Sequence, residues 1–484
     1  GVGLTAENLQ TAREQIASGT EPWASYFEDM KKSPAAAIDA ASANESKTQP
    51  GTPDSTAFAS QGFNSRFIGD ALKAYTQAIL YAVTGEQEYR TNAMEIIRIW
   101  EQMDPEAYAV FPDSHIHTGV PLHRMTTAAE ILRYGSCATD ETPWTEADTE
   151  AFTTNLIVPV TETFLHDQNH FMNQHTYPLL GAMAGYIFTE NRERYDEAVE
   201  WFTVNSTAEN QGFNGSISRL FRLVDTDDKT GETLDDPRVQ HVEMGRDQAH
   251  GGGDITNASI LSRMMMAQGT KVDPVAGTVS TAPDAVGPFE FGDDRILAAA
   301  DYFWSFMLGH DPEWTPVGYS MDPDGTVRDT YDHISNAYRG RYNTASVWDL
   351  YYYYAYTRGE DMTELAPNLE AAFEQRLPLE YYYGGAVTRA WDSPDAGGDF
   401  WLYLPESAAG SSVPEHMTSP TVLEIEDRWT PISGSTTSTD DFVTLGATEV
   451  GSKIAFRNAS TKNKAFALRV RTDGPARLEL TFGM

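Results

Sequence analysis

One pattern constrains this chain more than any other. From about Ser65 to Leu377 apolar residues return every three or four positions, and short turns interrupt them at intervals of one helix length. Phe67, Leu72, Ala74, Tyr75, Ala78 and Ile79 form one such stripe, Thr84-Gly85 breaks it, and Tyr89 to Trp100 begins the next. The rhythm recurs over Leu122–Tyr134, Asp148–Phe164, Tyr177–Phe188, Tyr195–Val204, Ile255–Met266, Ile296–Leu308 and Ala345–Tyr356. A stripe of that period is one face of a helix, and it must be buried against another element. About ten or more helices in antiparallel pairs predict a mainly α fold, an α/α toroid or a bundle. Strands and helices do not alternate, and no glycine-rich phosphate loop occurs, which excludes a doubly wound sheet.

The 484 residues exceed what one small core requires. Near Asp392 the character changes: Ser393 to Pro420 is rich in Pro, Gly and Ser and reads as linker or long loops. Short strand-like runs follow at Thr421–Ile425, Phe442–Leu445, Lys453–Phe456, Ala465–Arg471 and Ala476–Phe482. The expected organisation is a helical catalytic domain over 1–395, a linker over 396–420, and a small β-sandwich-like module over 421–484. That module has little room for a full sandwich and reads as cut short.

A net charge of −37 repels nucleic acid and anionic membranes, and no apolar run approaches the ~20 residues that cross a bilayer. Neither nucleic acid nor membrane is expected as a partner, and a soluble monomer is. The same charge would repel an acidic polymer, so a groove for one would need locally inverted charge. Arg (25) outnumbers Lys (9), and its planar fork suits carboxylates. The chain begins at Gly1 with no basic-then-apolar leader, and it carries sequons at Asn44, Asn205, Asn214, Asn257 and Asn458. Together these suggest a secreted glycoprotein. Cys137 has no second cysteine to pair with.

Three stretches could carry chemistry. In Asn169-His170-Phe171-Met172-Asn173-Gln174-His175-Thr176-Tyr177, amide and imidazole groups crowd a helix entry. Such groups are costly to bury unless they bind something polar, though a helix cap with a satisfied core histidine gives the same pattern. In Gln240 to Asp254, a helical reading puts Glu243, Arg246, Asp247 and His250 at i, i+3, i+4 and i+7 on one face. Gly251-Gly252-Gly253 would then end the turn and admit a polymer to the backbone. A solvated salt-bridge face has the same spacing. The third stretch leads from Gly292-Asp293-Asp294-Arg295 to Tyr302, which packing alone could explain. His115-x-His117 has ligand-like spacing, but no HExxH or cysteine cluster occurs, so no catalytic metal is expected.

These residues resemble a known family. "YAVTGEQEYRTNAMEIIRIW", ending at Trp100, is similar to the paired-helix repeat of the alginate lyase superfamily, and Asn173-Gln174-His175 resembles its Asn-Asn-His or Asn-Gln-His signature. "EMGRDQAHGGGD" resembles more narrowly polysaccharide lyase family 38, the alginate and glucuronan lyases. The similarity runs from about Gly62 to Leu377. It implies an incomplete (α/α) toroid with the substrate across its mouth. It also implies β-elimination from a 1,4-linked uronic-acid polymer, with no cofactor required and a structural calcium in the β module left open.

Such a reaction needs a neutralised carboxylate, a base for the C5 proton and an acid for the departing oxygen. By resemblance Asn173, His175 and Glu243 belong to the catalytic set, with His250 the base, His175 its rival and Tyr302 the acid. Arg246, Arg295, Gln174 and Arg222 would bind substrate, with Arg219 adding to the groove's positive charge. Two other readings compete: a glycoside hydrolase using a carboxylate pair such as Glu243 with Asp254 or Asp247, and a polysaccharide-binding protein without chemistry.

Overall fold

The computed structural model describes residues 1–135, 140–212, 214–322, 325–339, 348–375 and 399–411, with backbone alone at 61–64 and in four strands between 429 and 456. Among these residues the chain is mainly helical. Helices α1 (Ala6–Ser18) and α2 (Trp23–Met30) lead into α3 (Gln61–Thr84), which Gly85 ends in the left-handed conformation. The chain then turns back as α4 (Gln87–Trp100), and the Asn92 amide donates to Gln77 of α3 at 3.2 Å.

Helix α5 (Ser114–Tyr134) runs beside α3 in the same direction, because Tyr81 near the end of α3 donates to the carbonyl of Gly135, which follows α5 (3.1 Å). An outer stretch over 146–165 follows: α6 (Glu146–Phe152), a π turn, α7 (Val158–Val160) and a second π turn. Helix α8 (Asn173–Phe188) is again parallel to α5. Arg133 stacks over Phe188 at their C-terminal ends (5.1 Å), and His115 of α5 stacks on His170 just ahead of α8 (4.1 Å). The two backbones touch: a Cβ on Gly119 would lie 2.1 Å from the Tyr177 carbonyl oxygen, and one on Gly181 would lie 2.6 Å from that of Gly119. Helix α9 (Arg192–Thr203) returns on the outside.

A short helix, α10 (Ile217–Leu220), opens the hairpin of β1 (Phe221–Thr226) and β2 (Thr233–His241), which pairs Phe221 with His241. Helix α11 (Gln248–Ala267) follows and lies against α8, where Asn257 donates to Thr176 at 3.0 Å. The N-terminal ends of α5, α8 and α11 therefore share one side of the molecule. Helix α12 (Phe291–Met307) begins with a left-handed turn at Gly292, Asp293 and Asp294. A second hairpin, β3 (Val317–Met321) with β4 (Val327–Tyr331), precedes α13 (Trp348–Tyr352), α14 (Met362–Leu365) and α15 (Pro367–Gln375).

Residues 399–411 fall inside the span that composition reads as linker, yet they pack into the helical core. Phe400, Trp401 and Leu402 are buried, Phe400 meets Tyr26 edge-on at 4.9 Å, and Tyr75 donates to Asp399 at 2.5 Å. Aromatic burial outweighs local composition here. Farther on, β5 (Trp429–Ser433) pairs antiparallel with β8 (Lys453–Phe456), and β6 (Ser435–Thr439) with β7 (Phe442–Gly446). The strand runs expected at 421–425, 465–471 and 476–482 lie outside the described residues, as do Cys137 and Asn458.

The glycoprotein expectation meets an obstacle. Asn44, Asn205 and Asn257 are 0 % exposed and Asn214 is 2 % exposed, so a glycan on any of them is incompatible with this packing. Among the described residues no helix is long and apolar enough to cross a membrane.

Candidate active site at two helix N-termini

Asn173 is the first residue of α8. Met172 before it is buried with φ of 38°, a sparsely populated conformation for a side-chain-bearing residue, and this bend swings the chain into the helix. Asn173 is buried, and its Oδ1 accepts from Arg246 Nη1 at 3.3 Å. Two residues on, nearly opposite around the helix, His175 points elsewhere. It is fully buried and its Nε2–H donates to the Trp201 carbonyl at 2.9 Å, while burial pushes its pKa down to about 4. His175 thus anchors α8 to α9, and the neighbouring motif lies on the other side. Gln174 is half-buried and faces His115, within the stacked His115–His170 pair.

The second motif is not one helix, and the expected single helical face is corrected accordingly. Val242–Gly245 forms a 3-10 turn, Asp247 is extended with φ of −173°, and α11 starts at Gln248. Asp247 caps α11: its Oδ1 accepts from the backbone of Ala249 (2.9 Å) and His250 (3.0 Å). Its Oδ2 lies 2.6 Å from His250 Nδ1. A carboxylate there fixes the proton on Nδ1 and leaves Nε2 of this partly exposed ring bare. Burial would raise the Asp247 carboxyl, but hydrogen bonds from His250 and Ala249 outweigh it and hold the group below its usual range.

Glu243 lies beneath. It is 0 % exposed, 3.7 Å from Arg246 Nη1, and burial pushes its carboxyl up to about 7 against the opposing pull of Arg246 and His250. The three glycines do not end a turn. They lie buried inside α11, where Gly251 meets Met244, His241 and Phe303, and Gly253 meets Tyr177. Each costs about 1 kcal/mol of helix propensity relative to Ala, and at Gly251 and Gly253 close packing rather than polymer access explains the glycine.

The phenol beside these groups is Tyr331, at the end of β4. A Cβ on Gly245 would lie 2.3 Å from the Cβ of Tyr331, so only glycine admits this ring against the motif. Burial, with Glu243 beside it, keeps the phenol protonated well above its ordinary range. Its ring stacks on Tyr319 at 4.1 Å. The segment after β4 is laced to the motif: Ser335 donates to the Met244 carbonyl (2.9 Å), and the Gln248 amide donates to that of Ser335 (2.7 Å).

The other expected residues are committed elsewhere. Tyr302 donates to the Glu313 carbonyl at 2.8 Å, beside the Arg238–Glu313 ion pair. Arg295 donates from Nε and Nη1 to the carbonyls of Gly292 and Phe221 (3.1 Å each). Arg222 grips Asp228 with both arms of its fork, one bond measuring 2.9 Å. Arg219, three residues earlier in α10, has its charged form disfavoured by burial and by Arg222. Asn173, Glu243, Arg246, Asp247, His250 and Tyr331 are the residues that the fold brings together. Among the described residues no group of three or more His, Cys, Asp or Glu is arranged to hold a metal ion.

A guanidinium, an amide, a bare imidazole nitrogen and a protonated phenol share this site, with the positive ends of α8 and α11 beneath them. Such a set can hold an anion and move a proton next to it. No protein-family model matches the chain, and no curated protein matches it.

Proposed function

We propose that the chain is a polysaccharide lyase that cleaves a 1,4-linked uronic-acid polymer, glucuronan or alginate, by β-elimination. The observation that carries the reading is the Asp247–His250 pair beside the Arg246–Asn173 pair: an oriented base next to a site for a carboxylate. Arg246 and Asn173 hold the uronate carboxylate and stabilise the enolate-like charge that builds on it. His250 Nε2 takes the C5 proton. The electrons of the C5–H bond form the C4–C5 double bond as the C4–O4 bond breaks. The Tyr331 hydroxyl gives its proton to that glycosidic oxygen, which departs as the anomeric hydroxyl of the leaving sugar, so every proton and electron pair is placed.

Tyr331 replaces Tyr302 as acid in this scheme, and His175 serves packing. Glu243 and Asp254 are fully buried, which counts against hydrolysis by a carboxylate pair that must touch the sugar. The parallel inner helices α3, α5, α8 and α11, with returns on the outside, suit an incomplete (α/α) toroid whose mouth is the site. The strand pairs near the C-terminus suit a small sandwich, and an extracellular enzyme acting as a monomer fits a polymer substrate. The test is a panel of acidic polysaccharides followed by ultraviolet absorbance, in which a uronan should yield a growing unsaturated-uronate signal. A panel with no such signal overturns the reading.

A further inference from the structure

Beneath the half-exposed layer of Arg246, Asp247 and His250 lie two carboxyl side chains with almost nothing to neutralise them. Glu243 and Asp254 are both 0 % exposed, and none of their four oxygens has a hydrogen-bond partner of ordinary length. Arg246, at 3.7 Å from Glu243, is the cation in contact. His241 Nε2 lies 3.6 Å from Asp254, but its N–H is spent on the Gly251 carbonyl at 2.8 Å. Burial holds that ring neutral, with a pKa down at about 4.

Around the pair, β2 contributes His241, the turn and cap contribute Arg246 and Asp247, α11 contributes His250, and β4 contributes Tyr331. Burial first, and the neighbouring Glu243 second, push the Asp254 carboxyl well above the usual range. Two neighbouring carboxylates, both buried and without hydrogen bonds, cannot both stay ionised beside a single guanidinium.

We propose that Glu243 and Asp254 retain at least one proton between them through the working range, which makes Asp254 a positioning residue for Arg246. With both acids ionised, three negative charges, counting Asp247, would surround one arginine and repel an anionic substrate. With that proton retained, the pair presents at most a single charge, which orients the guanidinium without cancelling its field at the substrate carboxylate. This is how a site in a chain of net charge −37 accepts a polyanion. The inference rests on the lyase reading only for what Arg246 faces; the shared proton stands apart from it.

Two measurements test the proposal. The infrared difference spectrum between wild type and Asp254→Asn at about pH 7 should contain a carboxylic-acid carbonyl band present only in wild type. Absence of that band overturns the proposal. If the variant does not fold, wild type carrying carboxyl-labelled 13C-aspartate decides the matter. The signal assigned to Asp254 should stay in the protonated position from about pH 5 to 8, and its titration in the acid range overturns the proposal.

The kinetic arm reads positioning. As the shared proton is lost at alkaline pH, the wild-type KM for a uronan should rise by up to about tenfold per pH unit, and Asp254→Asn should lack that rise. A variant that keeps the rise removes Asp254 from any positioning role, whereas a purely packing role would lower Tm without touching the KM profile. If no uronan is a substrate, the lyase reading fails while the spectroscopic arm still decides the pair.

Discussion

Arg246 Nη1 lies 3.3 Å from Oδ1 of Asn173, and this contact joins two motifs 73 residues apart. If both side chains hold one carboxylate, they act as a unit. Asn173→Ala and Arg246→Ala should each lower kcat/KM on a uronan by about 10²-fold, and the double variant should fall short of the product by at least about fivefold. A double-mutant cycle measures this. Fully multiplicative losses would mean that the two side chains serve different parts of the substrate.

His250 and Asp247 should separate base from orienter. His250→Ala removes the proton acceptor and should lose about 10²–10⁴-fold in kcat. Asp247→Asn keeps a helix cap but no longer fixes the ring's proton on Nδ1, so it should lose less, about 10–10²-fold, with little change in Tm. Single-turnover kinetics with folding checked by circular dichroism decide the order. A larger loss in Asp247→Asn than in His250→Ala would contradict these roles.

The two tyrosines give opposite expectations. Tyr331→Phe should reduce kcat by about 10²–10⁴-fold while keeping the stack on Tyr319. Tyr302→Phe should leave turnover within about threefold and cost about 0.5–1.5 kcal/mol of stability, the worth of its hydrogen bond to Glu313. Parallel assays and denaturant titrations of both variants test the pair. Loss of turnover in Tyr302→Phe alone would restore the acid to α12.

Stability should be greatest near pH 6 to 7. Burial lowers His175 and His241 to about 4 and His123 to about 3. These rings are neutral in the fold and take up protons when it opens, so the stability they contribute is present above about 6.5 and is lost as pH falls toward 4 and 3. Burial raises Glu101 to about 8 and Glu243 to about 7. Their sign is opposite: stability present below about 4.5 is lost as pH rises through 7 and 8. Calorimetric scans from about pH 4 to 9 should show Tm falling on both sides. A Tm that climbs steadily to pH 9 would contradict the assigned burial of the acids.

Much of this was legible in the sequence, for physical reasons that also explain what was not. The helical period is plainest in α4, which buries one stripe, whereas α5, α8 and α11 are buried nearly all round, and Gly85 marks the turn where α3 ends. Asn173, Glu243, Arg246 and His250 are close in sequence to helix starts, so local pattern finds them. Direction is harder. His175 looks equivalent to Asn173 in the string, but two residues of helix turn it to the opposite side.

Tyr331 sits in a short hairpin whose strands are bulged, with half-exposed residues that lack clean alternation. The signal that could have found it is Gly245, a glycine whose missing side chain is the space the ring occupies. Arg222 and Arg295 have the right charge, but their partners, Asp228 and the Phe221 carbonyl, become visible only in three dimensions.

The central claim is elimination, and the product's mass states it most directly. Mass spectrometry of oligosaccharides released from a uronan should show chains ending in a 4,5-unsaturated uronate, each lighter by one water than its hydrolysis counterpart, and His250→Ala should slow their release by about 10²–10⁴-fold. Saturated products carrying that water would contradict the account and identify a hydrolase.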